Sequence, residues 1–147
     1  MTALRAARPT DAGAVGTILS EFVDTTDWMP RLHSRAEDLA HAGAMIARGW
    51  VTVAERTGEV IGFAARDGDA LNALYVRQAA RGQGIGEALL NHAKKDTPVI
   101  ELWTFQVNRA AQRFYRRHGF REVGRTDGNR NDEGLPDIQY KWTRKEP

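Results

Sequence analysis

Arg81-Gly82-Gln83-Gly84-Ile85-Gly86 joins a fixed cation to three glycines at alternate positions. A helical pattern follows at once. Ile85, Ala88, Leu89 and His92 fall at the i, i+3, i+4, i+7 spacing of one face. A glycine-rich turn entering a helix leaves several backbone N–H groups unpaired at the positive end of the helix dipole, and those donors form an anion site. Gly82, Gly84 and Gly86 have no Cβ, so a phosphate can approach the backbone closely. The alternative is a tight strand-to-helix turn that binds nothing. Two common phosphate motifs do not fit. A P-loop needs Lys-Ser or Lys-Thr after its last glycine, and Glu87-Ala88 stands there. The dinucleotide fingerprint is G-x-G-x-x-G, whereas the spacing here is G-x-G-x-G.

A second block, from Asn108 to Phe120, places chemistry on a helix. Asn108 can cap that helix. Ala111 and Tyr115 lie one turn apart on one face, with Phe114 beside them. Ala111 is small enough to let a cofactor come close. From helical position alone Tyr115 reads first as a core aromatic whose hydroxyl finds an acceptor. Carboxylates that could take up a proton or pair with a cation are scattered. Glu101 sits in a strand, Glu21, Asp24 and Asp27 lie near the first long loop with His33, and Asp69 precedes a strand that offers only Asn72 inside it. Trp28 and Met29 in that loop suit an apolar slot or a plug under the helices. His41, His92 and His118 lack metal-ligand spacing, so no metal is expected.

These residues need a frame. Residues 3–8 read as a strand, 11–23 as an amphipathic helix, and Asp24 to His33 as a loop. Ser34 with Glu37 is a capping box that opens a helix over about 35–48. Residues 50–56 and 60–66 form a hairpin across Thr57-Gly58-Glu59, and Asp67-Gly68 turns into a strand at 70–76. A helix from Gly84 to about Lys95, a buried-type strand over 99–105 and the Asn108 helix, stopped at Gly119, come next. Residues 120–125 form a strand. Residues 127–136 are a polar loop, and 138–143 alternate as a last strand with one buried face. The order is β-α-α-β-β-β-α-β-α-β-β, an α/β fold around one mixed sheet. No repeat or linker divides residues 1–147, so a single domain is expected.

The composition is that of a globular chain, 41% hydrophobic and 27% charged. It contains no run near the length of a membrane span, no secretory h-region and no cysteine. No membrane association is expected, and the pattern is compatible with a cytoplasmic location. The net charge is only +2. Basic residues between Arg109 and Arg130 read as a solvated face plus a site for an anionic cofactor, ahead of a nucleic-acid patch. No nucleic-acid partner is therefore expected.

Both motifs and the element order resemble the GCN5-related N-acetyltransferase (GNAT) family. Arg81, Gly84 and Gly86 fill its Q/R-x-x-G-x-G/A loop, and Leu74-Tyr75-Val76 looks like its fourth strand. Asn108, Ala111, Phe114, Tyr115, Gly119 and Phe120 fill its N-x-x-A-x-x-F/L-Y-x-x-x-G-F block. The resemblance implies the GNAT fold and direct acetyl transfer from acetyl-CoA to an amine. It implies that amides from Gln83 to Gly86, with Arg81 and Gly82, hold the pyrophosphate. The pantetheine arm would lie along Leu74, Tyr75 and Val76 beside Asn108, where the fourth and fifth strands splay. A backbone N–H near Val76 would polarise the thioester carbonyl, and Tyr115 would protonate the thiolate. Arg113, Arg116 or Arg117 would meet the ribose phosphate. Asp27, Trp28 and Glu101 are the acceptor-side residues expected on this basis; the general base and the amine stay open. Transfer of a longer acyl group, a non-catalytic acyl-CoA sensor of the same fold and a basic nucleic-acid-binding module are the competing readings. Trp142 and other strand-borne aromatics would suit the edge of a homodimer.

Overall fold

The computed structural model describes residues 2–145. Its elements are β1 (Thr2–Ala6), α1 (Ala12–Asp24), α2 (Arg35–Ala47), β2 (Val51–Arg56), β3 (Glu59–Asp67), β4 (Ala70–Val76), α3 (Ile85–Asp96), β5 (Val99–Phe105), α4 (Arg109–Arg117), β6 (Arg121–Thr126) and β7 (Asp137–Thr143). This is the expected order. Short 3-10 turns at Pro9–Asp11 and Gln78–Ala80 were not legible in the sequence. The first strand stops earlier than expected. Arg8 N donates to the Asp11 carboxylate at 2.7 Å, which turns the chain into the 3-10 segment.

Local signals explain most boundaries. Ser34 Oγ accepts from Glu37 N at 3.1 Å, and Glu37 accepts from Ser34 N at 3.0 Å, so the capping box closes as expected. Thr57 and Gly58 both take positive φ, the geometry of a type I′ hairpin turn. Asn108 caps α4 by accepting from Ala111 N at 3.1 Å. The buried face of α3 is Ile85, Leu89, Leu90 and Ala93, so its centre lies slightly to one side of the expected Ala88–His92 stripe.

The seven strands form one sheet in the order β1-β2-β3-β4-β5-β7-β6. The first four are antiparallel neighbours, β4 and β5 are parallel, and β7 runs antiparallel to both β5 and β6. β7 therefore lies inside the sheet. Trp142 is not at an edge, contrary to the dimer-edge expectation; it packs towards Phe120 with Lys94 Nζ 5.0 Å from its ring.

Two cores flank the sheet. Val15, Ile18, Met45, Val53 and Phe63 join α1 and α2 to one face. Leu89, Leu90, Ile100, Tyr115, Ile138 and Tyr140 join α3 and α4 to the other. At Gly16 a Cβ would meet the Leu39 backbone at 2.9 Å, so glycine lets α1 and α2 approach closely.

The decisive feature lies between β4 and β5. Their register holds at a single pair, Ala70 with Glu101, supported by Glu101 N donating to Asp69 O at 2.8 Å. Beyond it the strands part. On the β3 side, Ala65 pairs with Ala73 but Arg66 pairs with Leu71, so Asn72 is an extra residue in β4. A bulge bends its strand and raises the local twist, which steers β4 away from β5.

Candidate functional site

The gap between the strands opens into a cavity of about 500 Å³. Residues 71–76 of β4 form one wall and residues 102–105 of β5 form another. Phe22, Thr26 and Trp28 close it from the α1 side. Gly86 and Arg81 stand at the α3 end, and Asn108, Ala111, Phe114 and Tyr115 come from α4 and its cap. Of the residues singled out in the sequence, Leu74, Tyr75, Val76, Arg81, Gly86, Asn108, Tyr115 and Trp28 meet here.

The unpaired edge of β4 supplies hydrogen-bonding groups. Arg77 N donates to Ile61 O at 2.8 Å, and Tyr75 pairs with Phe63 two residues earlier. In an antiparallel ladder alternate residues exchange both bonds with the partner. The N–H and C=O of Leu74 and Val76 therefore turn the other way, into the gap. Arg81 Nε lies 3.4 Å from Val76 O, on that side.

The glycine turn has the shape of an anion cradle. Gly82 and Gly84 take φ of 76° and 80°, in the left-handed region that suits glycine. Gly84 caps α3, and Ala88 N donating to Gly84 O at 3.0 Å is the first turn of the helix. The amides of Ile85, Gly86 and Glu87 thus stand at the helix start without an intrahelical acceptor. Ile85 is buried in the core and fixes the turn. Gln83 accepts from Arg56 through its side chain. Gly86 has no positive φ, and a Cβ there would make ordinary contacts with Phe114 at 3.6 Å and Val76 at 3.9 Å. Its missing side chain leaves open the cavity it lines.

Tyr115 is held by its neighbours. Its ring packs edge-on to Phe114 at 5.2 Å and to Phe120 at 5.3 Å. Burial pushes its hydroxyl well above the ordinary tyrosine range, and nearby Tyr75 acts in the same direction. Tyr115 therefore stays protonated, as a proton donor requires. Burial also raises Tyr75, and the negative charge of Glu133 adds to that shift. Arg113, Arg116 and Arg117 are exposed on α4 and do not line the cavity.

A second cavity of about 450 Å³ shares Trp103, Thr104 and Phe105 with the first. Thr126, Arg130, Asn131, Glu133 and Asp137, from the loop between β6 and β7 and its margins, complete it. No role attaches to this polar loop on sequence grounds. It is built on internal bonds: Asn131 Nδ2 donates to Leu135 O at 2.7 Å, Leu135 N to Asn131 Oδ1 at 3.2 Å, and Gly128 N to Thr126 Oγ1 at 3.1 Å. At Gly128, φ is 87° and a Cβ would lie 2.3 Å from the Leu135 carbonyl carbon.

Several carboxylates singled out for the acceptor side are engaged elsewhere. Glu101 lies where β4 and β5 still pair, 3.8 Å from Lys141 Nζ, and lines neither cavity. Asp27 lines neither cavity. Asp24 accepts from Arg31 and Arg35 at 2.7 and 2.6 Å. Glu21 accepts from Gln78 N at 2.7 Å, His33 lies beside Glu37, and Asp69 accepts from Thr97. Arg31, which the sequence did not single out, ties the first loop together. It reaches Asp24, Asp38, His33 O and Ser20 O. Trp28 is then set edge-on to Phe22 and Phe105 at 6.2 and 5.7 Å.

Comparison with known proteins agrees with this geometry. Residues 47–122 match the acetyltransferase (GNAT) domain model. The peptidyl-lysine N-acetyltransferase YjaB of Escherichia coli is 29% identical over 126 residues, 84% of this chain and 85% of that protein. Its Salmonella typhimurium namesake is 35% identical over 78 residues, so the match spans only about half the length of that relative (53% of each chain). The solution structure of apo YjaB from Escherichia coli superposes with a TM-score of 0.81 at 22% identity, over 99% of both chains. Salmonella typhimurium yncA, solved with its cofactor acetyl-CoA, gives 0.74 at 23% identity over 100% of this chain and 96% of that one. The fold is the GNAT fold, and the chain belongs to the GNAT acetyltransferase family.

Proposed function

We propose that the chain moves an acetyl group from acetyl-CoA directly to a primary amine, and that the amine is a lysine side chain on a peptide or protein. One observation carries the transfer reading. The splay between β4 and β5 brings backbone groups of Leu74 and Val76 that do not pair with β3, Arg81 and Gly86 of the glycine turn and Tyr115 to one cavity. The lysine reading is supported by the names of the YjaB relatives.

The roles follow from position. The diphosphate of the cofactor sits on the amides from Gln83 to Gly86, with Arg81 and Gly82 beside it. The pantetheine arm takes the place a fifth-strand neighbour would take along Leu74, Tyr75 and Val76. Asn108 keeps its side-chain N–H groups for the arm while its oxygen caps α4. The Val76 N–H meets the thioester oxygen as negative charge develops there. The neutral amine nitrogen attacks the carbonyl carbon and loses a proton to solvent, the C–S bond breaks, and Tyr115 gives its proton to the departing sulfur and regains one from solvent. Acetyl-CoA supplies the acyl group; the chain supplies orientation, the oxyanion donor and the acid.

Calorimetric titration with acetyl-CoA, with ATP and NAD as controls, tests the cofactor reading. Selective acetyl-CoA binding is expected. A folded sample that binds none of the three removes the reading. Thiol release in the presence of lysine peptides then tests transfer, with a clean background because the chain has no cysteine.

A further inference from the structure

The two cavities have Trp103, Thr104 and Phe105 of β5 in common, so this stretch of strand borders both. Arg81 and Gly86 line the first cavity, and residues of the loop between β6 and β7 line the second. An acceptor that reaches the thioester through the second cavity passes its charged wall.

That wall has three charged residues. Asp137 is buried and engaged: its oxygens accept from Thr126 and from Asn131 Nδ2. Arg130 is exposed at the rim. Glu133 is half-buried and takes part in none of the ion pairs among the described residues. The loop that presents it is fixed by the Asn131–Leu135 bonds on either side of it. Thr104, common to both cavities, has a buried hydroxyl with no hydrogen-bond partner among the described residues. An N–H donor or a water entering there would satisfy it.

We propose that Glu133 binds the cationic amine of the acceptor, and so selects for an ammonium group on a slender apolar arm. This rests on the transferase reading and names the residue that sets its acceptor class. The aromatic walls from Trp103 and Phe105 suit the methylenes of such an arm, and a carboxylate at a fixed position suits its head. Burial raises the Tyr75 pKa and the negative charge of Glu133 adds to that rise, in keeping with this placement.

The test compares wild-type protein with Glu133→Gln and Glu133→Asp. Protein saturated with coenzyme A is titrated with n-butylammonium and with n-butanol, followed by the indole N–H signals of Trp28 and Trp103. Thiol release from acetyl-CoA with Nα-acetyl-lysine amide is measured in parallel. For Glu133→Gln, the n-butylammonium Kd and the amine KM are expected to rise at least tenfold, with kcat within about threefold. Glu133→Asp is expected to keep part of the affinity, and n-butanol is expected to bind weakly and equally to all three. A Glu133→Gln protein within twofold of wild type in Kd and KM overturns the proposal. Equal binding of n-butanol and n-butylammonium by wild type also overturns it. Acetyl-CoA titration of the same samples separates the two readings. Loss of all acetyl-CoA binding in wild type removes the transferase reading, whereas normal binding with an indifferent Glu133→Gln variant removes only the role of Glu133.

Discussion

Ala70 and Glu101 form the only register pair between β4 and β5, and the strands separate immediately beyond them. A parallel pair that ends after one step leaves a row of backbone donors and acceptors unpaired. Buried unpaired groups are costly, so such an edge is built to be met by something else. The Asn72 bulge makes the separation, and Leu74 and Val76 then face the gap.

Val76→Pro tests the oxyanion donor. Proline removes the N–H at 76 but no bond to β3, because that N–H turns away from β3. Tyr75 is already extended, which a following proline favours. The expected result is a fall in kcat of about 10²–10³, with acetyl-CoA still bound and the thermal midpoint little changed. Stopped-flow or steady-state thiol release measures it. Turnover within twofold of wild type would assign the donor elsewhere.

Tyr115→Phe tests the acid. The change removes one hydroxyl and keeps the ring against Phe114 and Phe120. A fall of about 10²-fold or more in kcat is expected, with the acetyl-CoA Kd within twofold. The wild-type pH profile offers a second reading. Burial raises the Tyr115 pKa, so the protonated form persists above the ordinary tyrosine value of about 10. No descending limb due to this group is expected between pH 7 and 10. A limb in that window that disappears in Tyr115→Phe would contradict the assigned burial.

Legibility followed range along the chain. The capping box at Ser34, the Asn108 cap and the positive-φ turns depend on a few adjacent residues, and the sequence shows them. The glycine turn was legible for the same reason. The splay was not derivable from spacing: Asn72 looks like any strand residue until β3 pairs with β4 across it. The placement of β7 between β5 and β6 is equally non-local, and it moved Trp142 from an expected edge to an interior strand. Glu101 shows the same limit at the site. Its strand was read correctly, but the register places it below the point where the gap opens. Glu133 lay in a stretch without periodicity, where only the bonded loop reveals its position.

Asp11→Asn probes how β1 is fastened to the start of α1. Asp11 accepts from both terminal nitrogens of the Arg5 guanidinium at 2.8 and 3.1 Å and from Arg8 N at 2.7 Å, and it is buried. The hydrogen bonds from Arg5 lower its pKa against the opposing effect of burial, with the Arg8 amide helping. A folded-state pKa below the unfolded value of about 3.9 adds stability at neutral pH, and that stability is lost as pH falls through the folded value. Asn cannot match the Arg5 fork, so the variant is expected to lose about 2 kcal/mol at pH 7. Arg5 keeps Glu55 at 2.6 Å, which limits the loss. Urea unfolding at pH 7 and at pH 3 measures the difference, which should shrink at pH 3. A gap of equal size at both values would mean that the lost stability is packing rather than charge.

Gly128→Ala perturbs the acceptor side without touching the cofactor side. The left-handed φ at Gly128 is strained for alanine by about 1–2 kcal/mol, and a Cβ there meets the Leu135 backbone at 2.3 Å. The loop must therefore shift, and Glu133 moves with it. Cofactor-side residues are remote in sequence and belong to α3, α4 and β4. The expected outcome is a raised amine KM with an unchanged acetyl-CoA Kd and a small drop in thermal midpoint. Gly134→Ala is the control: it also has positive φ, 68°, but a Cβ there meets nothing within 4 Å. It carries the conformational cost without the collision and should alter KM far less. Equal effects of the two substitutions on KM would show that loop strain, not the displacement forced at Leu135, controls access to the second cavity.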